Sequence, residues 1–467
     1  MTAGAEVQDV RSVEEQAVHH RRLEKQAVKG TVYVVAFYGI SLAVRILSSV
    51  VLTRLFAPQY FGIITLVTTV LVGLSFFSHI GVHDSVIQSR RGDEPLFLHT
   101  AQTIELLRGT GIWILTIILA WPVARFYHEP RMVLLLPVLG LSAIISGATS
   151  PSVLSLTRHM GIGRLSSLEL LGQIVQFVVT VVWALIQPSL WALAGGQLVS
   201  SLVRVAASYF ILPELRLRFS LDRECVRELL HFGKWILVGT VLTFLATQSD
   251  RLILGKLAST TMLGIYGIAY TLSDLPRQII MQFTSRVGYP FIAKFASKPR
   301  RDYRAVLLKY RLPVLAVGAL GLIIAICVGD QVILHVYDYR YHQAAWMIGI
   351  LAIGLWHTTL YNTLAPAILA LSKSHYNAIG NLVFCISLFT LIPLGFHYYG
   401  MPGAVAAVAF GDLPVYFVVQ YSAYREKVGT LVQDALMTVA FLVVLAGALA
   451  LRMALGFGLP FHGIHWQ

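Results

Sequence analysis

Two eight-residue stretches of the chain, PSVLSLTR at 151–158 and PAILALSK at 366–373, are identical or similar at every position. A second pair, TRLFAPQYFGI at 53–63 and GKLASTTMLGI at 255–265, aligns Arg54 with Lys256 and Gly62 with Gly264. The offsets are 215 and 202 residues, so both pairs place the first half of the chain over the second. Self-similarity of this kind predicts two structural repeats.

The residues around these stretches are strongly apolar. Hydrophobic residues make up 56% and charged residues 13% of the 467 positions, and the mean hydropathy is +0.71. A soluble domain averages about 25% charged residues, and this much apolar side chain does not fit inside one water-soluble core. The chain is therefore predicted to be an all-α integral membrane protein without a large soluble catalytic domain.

Apolar runs of about 20 residues, the length of a membrane-spanning helix, define the predicted spans. They lie near 31–53, 60–81, 104–124, 132–156, 165–186 and 190–212, and then near 233–256, 262–292, 312–329, 344–371, 376–396, 402–423 and 430–451. The last of these thirteen is ambiguous, and 453–467 is too short for a further span. Because an even number of spans separates the copies, both halves have the same orientation, and an axis along the membrane normal relates them.

These spans divide the chain into five parts. They are a polar N-terminal tail (1–29), a first lobe of helices 1–6 (30–212), a linker (213–232), a second lobe of helices 7–12 (233–424), and an extra C-terminal helix and tail (425–467). Two six-helix lobes that face each other enclose a cleft that can open alternately to either side.

Basic residues predict the orientation of the chain. They concentrate on one side of the membrane when the N-terminus is cytoplasmic: Arg21, Arg22, Lys25 and Lys29, the link from Arg216 to Lys234, and the run from Lys294 to Arg311. The short outer loops carry single residues such as Arg54 and Lys256. This bias follows the positive-inside rule. The net charge of +13 thus needs no nucleic-acid partner, although the same runs also suit anionic lipid headgroups.

The N-terminal tail also bears on targeting. Residues 1–29 are polar and charged, without a short apolar stretch or a small-residue cleavage site. We therefore expect no secretory signal peptide, and the first membrane helix is expected to direct targeting.

Polar residues within the predicted spans lie on single helical faces. Helices 5, 6 and 1 carry them three or four positions apart: Glu169, Gln173, Gln176 and Thr180; Gln197, Ser201, Arg204 and Ser208; and Ser41, Arg45 and Ser48. A charged residue at the centre of a spanning helix costs about 2.5–3.5 kcal/mol on insertion scales, so such residues usually face protein or a water-filled cavity. The stripes predict a polar interior between the helices.

The second half contains further polar residues within its spans: Gln248, Asp250 and Arg251 on helix 7; Asp274, Arg277, Gln278 and Arg286 around Pro276 on helix 8; and His357, Asn362, Asn377, Asn381, Asp412 and Tyr416 on helices 10–12. Asp274 and Arg277 are one turn apart, so a structural ion pair and a direct substrate role are both open. Pro276 is expected to bend its helix. His357 is expected to be a hydrogen-bonded core residue.

Five arginines within spans predict a positive cavity with an anionic ligand: Arg45, Arg204, Arg251, Arg277 and Arg286. Guanidinium groups bind phosphate oxygens in bidentate fashion and stay charged when desolvated, which favours a phosphate or pyrophosphate headgroup. Arginines near helix ends can instead extend to the interface, an alternative that is weaker for Arg204 and Arg277. The predicted substrate-binding residues are Arg45, Arg204, Arg251, Arg277, Gln173 and Gln197.

The chain resembles a known family in four stretches: RLFAPQYFGIITLV (54–67), GVHDSVIQSRRGDE (81–94), SDRLILGKLASTTMLGIYGIAYTLSDLPRQI (249–279) and YPFIAKFASKPR (289–300). These resemble the polysaccharide transporter family of the multidrug/oligosaccharidyl-lipid/polysaccharide (MOP) flippase superfamily, over roughly residues 30–425. One departure is the turn at 57–62, Ala-Pro-Gln-Tyr-Phe-Gly, where the family has Gly-Pro-Glu-Asp-Phe-Gly. The chain therefore lacks both acids of this turn.

The resemblance implies an oligosaccharide flippase in the bacterial inner membrane, with its N-terminus cytoplasmic. Its substrate would be an undecaprenyl-pyrophosphate-linked repeat unit of an exopolysaccharide, capsule or O-antigen, and its partners membrane lipids and the polysaccharide polymerase and export machinery. Arg45 and Arg277 lie on helices that carry cavity arginines in related flippases. The superfamily also implies proton or sodium coupling, for which Glu169, Asp250, Asp274 and Asp412 are the available acids, without any other cofactor.

Two other functions compete with this hypothesis. A cation-coupled multidrug exporter of the same superfamily would share the fold, but would favour a cavity of acids and aromatics. A membrane-embedded polysaccharide-assembly enzyme needs catalytic residues on a large outer loop, and the predicted outer loops are short. No phosphate-binding Gly-rich loop is present, and the three separated cysteines predict neither a metal site nor a disulfide.

Overall fold

The computed structural model describes residues 37–79, 81–159, 162–211, 218–373 and 375–461. The predicted N-terminal tail, including Arg21, Arg22, Lys25 and Lys29, lies outside the described residues, as do Arg216 in the linker and the last six residues. Within the described ranges the chain is helical and contains no strand. The predicted all-α fold class is confirmed.

The helices of the first half are α1 (Phe37–Leu55), α2 (Pro58–Phe77), α3 (Val82–Gln88), α4 (Pro95–Tyr127), α5 (Met132–Gly147), α6 (Ser152–Arg158), α7 (Ile162–Ile186) and α8 (Leu190–Ile211). The second half contains α9 (Arg223–Leu257), α10 (Thr260–Ser273), α11 (Leu275–Phe283), a π-helical turn (Thr284–Gly288), α12 (Tyr289–Ala293) and α13 (Arg300–Val336). A 3-10 turn (Tyr339–Tyr341) precedes α14 (Ala344–Ala370), α15 (His375–Phe410), α16 (Leu413–Arg425) and α17 (Leu431–Ala454).

Local sequence sets several helix starts. The Asp222 carboxylate accepts hydrogen bonds from the amides of Glu224 and Cys225 at 3.1 and 3.0 Å and caps α9. Ser259 caps α10 in the same way through the amide of Met262 at 3.2 Å. Such caps satisfy amides that have no partner within the helix. The backbone N–H group of Cys225, and to a smaller extent that of Glu224, also lowers the pKa of Asp222, because each stabilises the charged carboxylate.

Two predicted single spans are broken. The span predicted at 132–156 consists of α5 and α6, which are bent by 71° at 148–151. The span predicted at 262–292 ends at Ser273 and restarts at Leu275, beside Pro276, and a π-helical turn follows nine residues later. The helix is therefore interrupted beside Pro276, where the sequence predicts a bend, because proline lacks the amide that would continue the helix. Conversely, α15 continues past residue 396 to a kink at Gly400, whose φ is +58°.

Nine helices of the described part are long and apolar enough to cross a membrane, or ten if α5 and α6 form one span. This is fewer than the thirteen expected from the sequence. One of the nine, His375–Arg425, contains two of the predicted spans on either side of Gly400. Helices α9–α12 are not among the nine, and α10, α11 and α12 are each too short to cross a membrane alone. They carry much of the polar cavity described below.

The largest hydrophobic core joins the two halves at one end of the molecule. It combines Ile63, Leu66 and Val67 of α2 with Leu254 of α9 and Tyr266 of α10, all at most 1% exposed. This end carries the loops at 128–131 and 258–259, and we call it the outer end after the predicted orientation. The other buried clusters each belong to one half, apart from Cys225 and Leu229, which pack against the first half.

Gly62 of α2 and Gly264 of α10, the pair aligned by the internal similarity, lie against each other in this core. A Cβ on Gly62 would lie 1.8 Å from the Thr260 carbonyl oxygen, and one on Gly264 would lie 2.0 Å from that of Pro58. Only glycine permits so close a backbone approach. Contact between equivalent residues is what a two-fold axis between repeats would produce. The two-repeat arrangement itself stays a prediction.

Two reciprocal sets of contacts link the halves at the outer end. In the α1 latch, Arg54 donates to the Val336 carbonyl at 3.2 Å, and the Tyr337 hydroxyl donates to Ser49 Oγ at 3.2 Å. In the α9 latch, Lys256 donates to the Phe126 carbonyl at 2.6 Å, and the Tyr127 hydroxyl donates to the Leu252 carbonyl at 3.4 Å. The aligned basic residues Arg54 and Lys256 thus each bind the end of a helix in the opposite half, where the helix dipole favours a positive charge.

The C-terminal helix α17 is attached to α13 by two buried ion pairs of opposite polarity. Arg311 of α13 lies 2.9 Å from Asp434 of α17, and the two side chains are 0% and 1% exposed. Arg452 of α17 pairs with Asp330 of α13, with an Nη1 to Oδ1 distance of 2.7 Å. The sequence interpretation of Arg311 as part of a solvated cytoplasmic run is therefore wrong, because its guanidinium group is enclosed between two helices.

Candidate functional site

A cavity of about 430 Å³ lies between helices of both halves, below the outer core. We call it the central pocket. Its polar lining comes from α1, α9, α10, α11, α14 and Asp412, just before α16: Arg45, Thr247, Gln248, Asp250, Arg251, Tyr270, Thr271, Ser273, Asp274, Arg277, Gln278, Thr358, Tyr361 and Asp412. Its volume lies within the range of about 300–1,000 Å³ that is typical of small-molecule sites. Six of the predicted site residues line it.

Arg277 and Asp274 form an ion pair within the central pocket. Arg277 Nη2 lies 3.0 Å from Asp274 Oδ2, and its Nε contacts the other carboxylate oxygen, so the pair is bidentate. Gln278 donates to Asp274 Oδ2 at 3.0 Å as well. The Asp274 residue is 4% exposed and the Arg277 side chain 25% exposed. The structural pairing left open by the sequence is present, and it neutralises Arg277 in this conformation.

Neither Arg45 nor Arg251 forms a salt bridge with an acidic residue among the described residues. Arg45 Nη1 donates to Gln278 Oε1 at 3.0 Å, and Arg251 Nη1 donates to Gln248 Oε1 at 2.7 Å. The Arg251 guanidinium also lies over the Tyr270 ring, 5.3 Å from its centroid, a favourable cation–π geometry. A neutral amide orients each guanidinium group without cancelling its charge. These two residues are the cations available to a ligand.

Three carboxylates of the central pocket receive hydrogen bonds from the protein. Asp250 accepts from the Tyr266 hydroxyl at 2.6 Å. Asp412 accepts from Thr358 at 2.6 Å and from Tyr361 at 3.0 Å, and it contacts the His357 ring. The acids at 250, 274 and 412 are 5%, 4% and 7% exposed. His357 is thus a hydrogen-bonded core residue, as expected, and its partner is one of the predicted coupling acids.

The formal charges of the central pocket cancel. Arg45, Arg251 and Arg277 stand against three aspartates, so the expectation of an overall positive lining is wrong. The positive groups nevertheless differ from the negative ones in accessibility, because the carboxylates are buried and hydrogen-bonded while Arg45 and Arg251 are partly exposed. Partly exposed guanidinium groups beside enclosed carboxylates still favour an anionic ligand.

A second pocket, of about 490 Å³, lies within the first half. We call it the first-lobe pocket. It is lined by α5, α7 and α8, and its residues are Ser142, Ser146, Glu169, Gly172, Gln173, Gln176, Gln197, Ser200, Ser201 and Arg204. The polar stripes that the sequence predicts on its fifth and sixth spans, which are α7 and α8 of the structure, therefore face each other. Thr180 and Ser208, the last residues of those stripes, are instead buried in helix contacts.

The predicted substrate residues are divided between these pockets. Arg204, Glu169, Gln173 and Gln197 line the first-lobe pocket, and none of them lines the central pocket. The prediction that one cavity contains Arg204 together with Arg45 and Arg277 is therefore wrong. A helical stripe shows that residues share a face, but it does not show which helix lies opposite.

Helix α1 connects the two pockets. Ser41 donates to Gln173 Oε1 of the first-lobe pocket at 2.7 Å, and Arg45, one turn later on the same face, donates to Gln278 of the central pocket. The predicted stripe on helix 1 thus contacts α7 through one residue and α11 through the next. A ligand held by both pockets would lie along α1.

Several residues of the two pockets were not among the predicted sites. Thr358 and Tyr361 lie three residues apart on α14, Tyr270 lies four residues before Asp274, and Ser142 and Ser146 lie four residues apart on α5. These helical spacings are visible in the sequence. Arg286, the fifth intramembrane arginine, is exposed in the π-helical turn and lines neither pocket. No group of three or more metal-ligating side chains occurs in the part of the chain that the structure describes.

Comparison with known proteins gives a consistent set of relatives. Residues 51–346 match the sequence model of a family described as polysaccharide biosynthesis protein. The chain is 22% identical over 273 residues to the lipopolysaccharide biosynthesis protein WzxC of Escherichia coli K12, covering 58% of this chain and 55% of WzxC. It is 21% identical over 323 residues to the succinoglycan biosynthesis transport protein ExoT of Rhizobium meliloti, covering 68% and 63%. The matches thus span less than two thirds of these relatives.

Solved structures with the same fold include two classes of transporter. The lipid II flippase MurJ in an inward closed conformation superposes with a TM-score of 0.70 at 11% identity, over 88% of this chain and 91% of MurJ. An inward-facing multidrug resistance transporter of the MATE family in the MOP superfamily gives 0.64 at 13% identity, over 84% and 98%. The predicted MOP flippase fold is confirmed.

Proposed function

Since the chain belongs to the family of polysaccharide biosynthesis proteins, we propose that it flips an undecaprenyl-pyrophosphate-linked oligosaccharide across the bacterial inner membrane. The substrate is the lipid-linked repeat unit of an exopolysaccharide, capsule or O-antigen. The protein works by transport rather than by catalysis, with its N-terminus in the cytoplasm. The polysaccharide polymerase and export machinery are the partners expected downstream.

One observation carries this proposal. Arg45 and Arg251 enter the central pocket from different halves, and each is oriented by a glutamine instead of a carboxylate. Two such groups supply the donors that a pyrophosphate needs, because each guanidinium can donate two parallel hydrogen bonds to phosphate oxygens. The polyprenyl tail remains in the bilayer, because a polar pocket offers no favourable contacts to an apolar chain.

The paired Arg277 and Asp274 provide a route to release. In this conformation Asp274 occupies the Arg277 guanidinium. A pyrophosphate that binds Arg277 competes with Asp274, so the ion pair and the ligand favour different arrangements of α11. A ligand shifts an equilibrium between two states only through a difference in its affinity for them. We propose that binding of the pyrophosphate breaks the Arg277–Asp274 pair in one conformational state. In the other state the pair forms again, which weakens the contact between Arg277 and the pyrophosphate.

Ion coupling belongs to the same proposal. Asp250, Asp274 and Asp412 of the central pocket and Glu169 of the first-lobe pocket are the candidate acids for proton or sodium coupling. Asp412 is the best supported of the four, because His357, Thr358 and Tyr361 surround its carboxylate with groups that exchange or share protons. This assignment would be supported if an imposed proton gradient drives flipping and if, among variants of the four acids, only Asp412→Asn abolishes it.

The central test is flipping in reconstituted vesicles. Fluorescent lipid-linked oligosaccharide is added to proteoliposomes that contain the wild type, Arg45→Gln, Arg251→Gln or the control Arg125→Gln. Arg125 contacts Trp121 of its own helix at the outer end and lines neither pocket. Losing a bidentate contact to a charged ligand costs about 2 kcal/mol or more, so each pocket variant should flip at least tenfold more slowly. Wild-type rates in both would remove the pyrophosphate site from the central pocket.

A multidrug exporter is the second candidate, and the three carboxylates of the central pocket favour it. Organic cations would need those carboxylates free, whereas each is already hydrogen-bonded by the protein. Efflux of a cationic dye from cells that express the protein separates the two functions. Dye resistance that is lost in Asp412→Asn, without any flipping of lipid-linked oligosaccharide, would replace our proposal with this one.

A further inference from the structure

The composition of the first-lobe pocket does not match a phosphate, an ion or a lipid tail. All ten lining residues are polar or glycine: serines at 142, 146, 200 and 201, glutamines at 173, 176 and 197, Glu169, Arg204 and Gly172. The central pocket, by contrast, includes Leu351, Phe384 and Val408. A wholly polar pocket inside a membrane lobe is costly to build, so it indicates a polar ligand.

Hydrogen-bonding capacity narrows the class of ligand. An amide offers both donors and acceptors, a serine hydroxyl does the same, Arg204 only donates and ionised Glu169 only accepts. A phosphate carries acceptors alone and would face Glu169 and the amide oxygens without donors to match them. A metal or organic cation would face Arg204. A sugar hydroxyl both donates and accepts, so a polyhydroxylated ligand satisfies every group of the pocket.

Several of these groups are free to bind. The side chains of Gln176, Gln197 and Glu169 make no hydrogen bond to other described residues, and the Arg204 side chain has only a long contact of 3.5 Å with Ser201. Gln173 is oriented: its Oε1 accepts from Ser41 at 2.7 Å, which leaves its Nε2 amide protons for a ligand. Ser200 and Ser201, in contrast, donate to the carbonyls of Gly172 and Gln197 and so offer only lone pairs.

The position of Arg204 depends on Gly172. A Cβ at residue 172 would lie 2.5 Å from Arg204 Cδ and 2.7 Å from its Cγ, so the aliphatic part of the arginine lies on the bare helix surface at this glycine. This contact holds the Arg204 side chain against α7, in the wall of the first-lobe pocket.

We propose that the first-lobe pocket is a glycan subsite, which binds a sugar of the repeat unit while the central pocket holds the pyrophosphate. This rests on the proposed flippase function and assigns its second binding site. Helix α1 joins the subsites through Ser41 and Arg45, so one lipid-linked oligosaccharide contacts both along this helix. The subsite determines which repeat unit is accepted, because unmatched amides and hydroxyls reject a ligand that lacks the right hydroxyl groups.

The test compares two ligands that differ only in the glycan. The lipid-linked oligosaccharide pool of the producing bacterium is one probe, and undecaprenyl pyrophosphate, the same lipid without the glycan, is the other. Native mass spectrometry of the purified full-length protein gives both affinities. We expect the wild type to bind the glycan-bearing lipid about tenfold more tightly, the effect of two or three well-formed hydrogen bonds.

The variants are Gln173→Leu/Gln197→Leu in the first-lobe pocket and Gln187→Leu as a matched control. Gln187 follows α7, is exposed and lines neither pocket. The double variant should lose the tenfold preference and keep the wild-type affinity for undecaprenyl pyrophosphate, which also shows that it is folded. The control should keep both affinities.

Gly172→Ala provides an independent variant, since it leaves every polar group in place and displaces only the Arg204 side chain. We expect it to reduce the glycan preference and not the affinity for undecaprenyl pyrophosphate. A double variant that retains the tenfold preference would overturn the glycan subsite and leave the flippase function intact. A wild type that binds neither probe would overturn the flippase function itself.

Discussion

Removing the basic residues of the two latches should open the outer end. Arg54 and Lys256 each donate from a charged group to a helix-terminal carbonyl of the opposite half, at 3.2 and 2.6 Å. A hydrogen bond from a charged group contributes about 1.5–3 kcal/mol when buried, which exposure to solvent reduces to about 1 kcal/mol. That energy corresponds to about a fivefold change in a population ratio, and two such losses to about thirtyfold. If the latches act independently, the two losses add.

Cysteine accessibility measures this shift. In a background without the native cysteines at 225, 327 and 385, a single cysteine at Leu66 reports on the outer core, where the native side chain is 1% exposed. A membrane-impermeant maleimide added from the outer side should label this cysteine about fivefold faster in Arg54→Ala or Lys256→Ala, and about thirtyfold faster in the double variant.

Arg125→Ala is the matched control for the latch variants. Arg125 is a basic residue of the same outer end, and its guanidinium lies over Trp121 of its own helix. Its loss should leave the labelling rate unchanged. Equal rates in the wild type, both single variants and the double variant would refute the reasoning, as would an equal acceleration in the control.

Three further perturbations follow from buried or loop charges. Arg277→Ala leaves Asp274 buried with a glutamine as its remaining partner, so this variant should lower the unfolding free energy by about 3 kcal/mol. The double variant Arg277→Gln/Asp274→Asn should restore stability without restoring flipping. Thermal unfolding and the flipping assay check these two outcomes. Arg311→Met or Asp434→Leu alone should destabilise by about 3–5 kcal/mol and the two together by much less; additive losses in thermal unfolding would contradict a buried pair. In the outer loop, the hydrogen bond from the Arg340 guanidinium lowers the pKa of Asp338. The contribution of the Asp338 carboxylate to folding stability should therefore be complete above pH of about 4 and decline as the pH falls through the lowered pKa. The melting-temperature difference between wild type and Asp338→Asn, followed from pH 7 downwards, should be constant and then shrink; a difference that grows on acidification would show the opposite sign.

The polar stripes show how much of the candidate site the helical spacing of polar residues can predict. Gln173, Gln197 and Arg204 were predicted as residues that face a polar interior, and they do line one pocket. The prediction failed where it joined Arg204 to Arg45, because periodicity along one helix contains no information about the helix that packs against it. The same limit concealed the buried pair of Arg311, whose partner lies more than a hundred residues away on α17.

The number of charged residues within the spans predicted less about the site than the helical spacing of polar residues did. The excess of intramembrane arginines predicted a positive cavity, yet the central pocket contains equal numbers of arginines and aspartates. What distinguishes Arg45 and Arg251 is the chemistry of their neighbours, Gln278 and Gln248, which orient the guanidinium groups and leave them charged. A contact between α1 and α11 cannot be inferred from either segment alone.

The amino-acid sequence by itself determined the class of this protein, most of its membrane helices, the interruption beside Pro276, and its family. These are local properties, because the length and polarity of a helix depend on its own residues. The tertiary structure decided which polar faces meet: it separated Arg204 from the central pocket, paired Arg277 with Asp274, and set Gly62 against Gly264. Those outcomes depend on how helices from distant parts of the chain pack together, and packing is a property of surfaces that only the folded chain brings into contact.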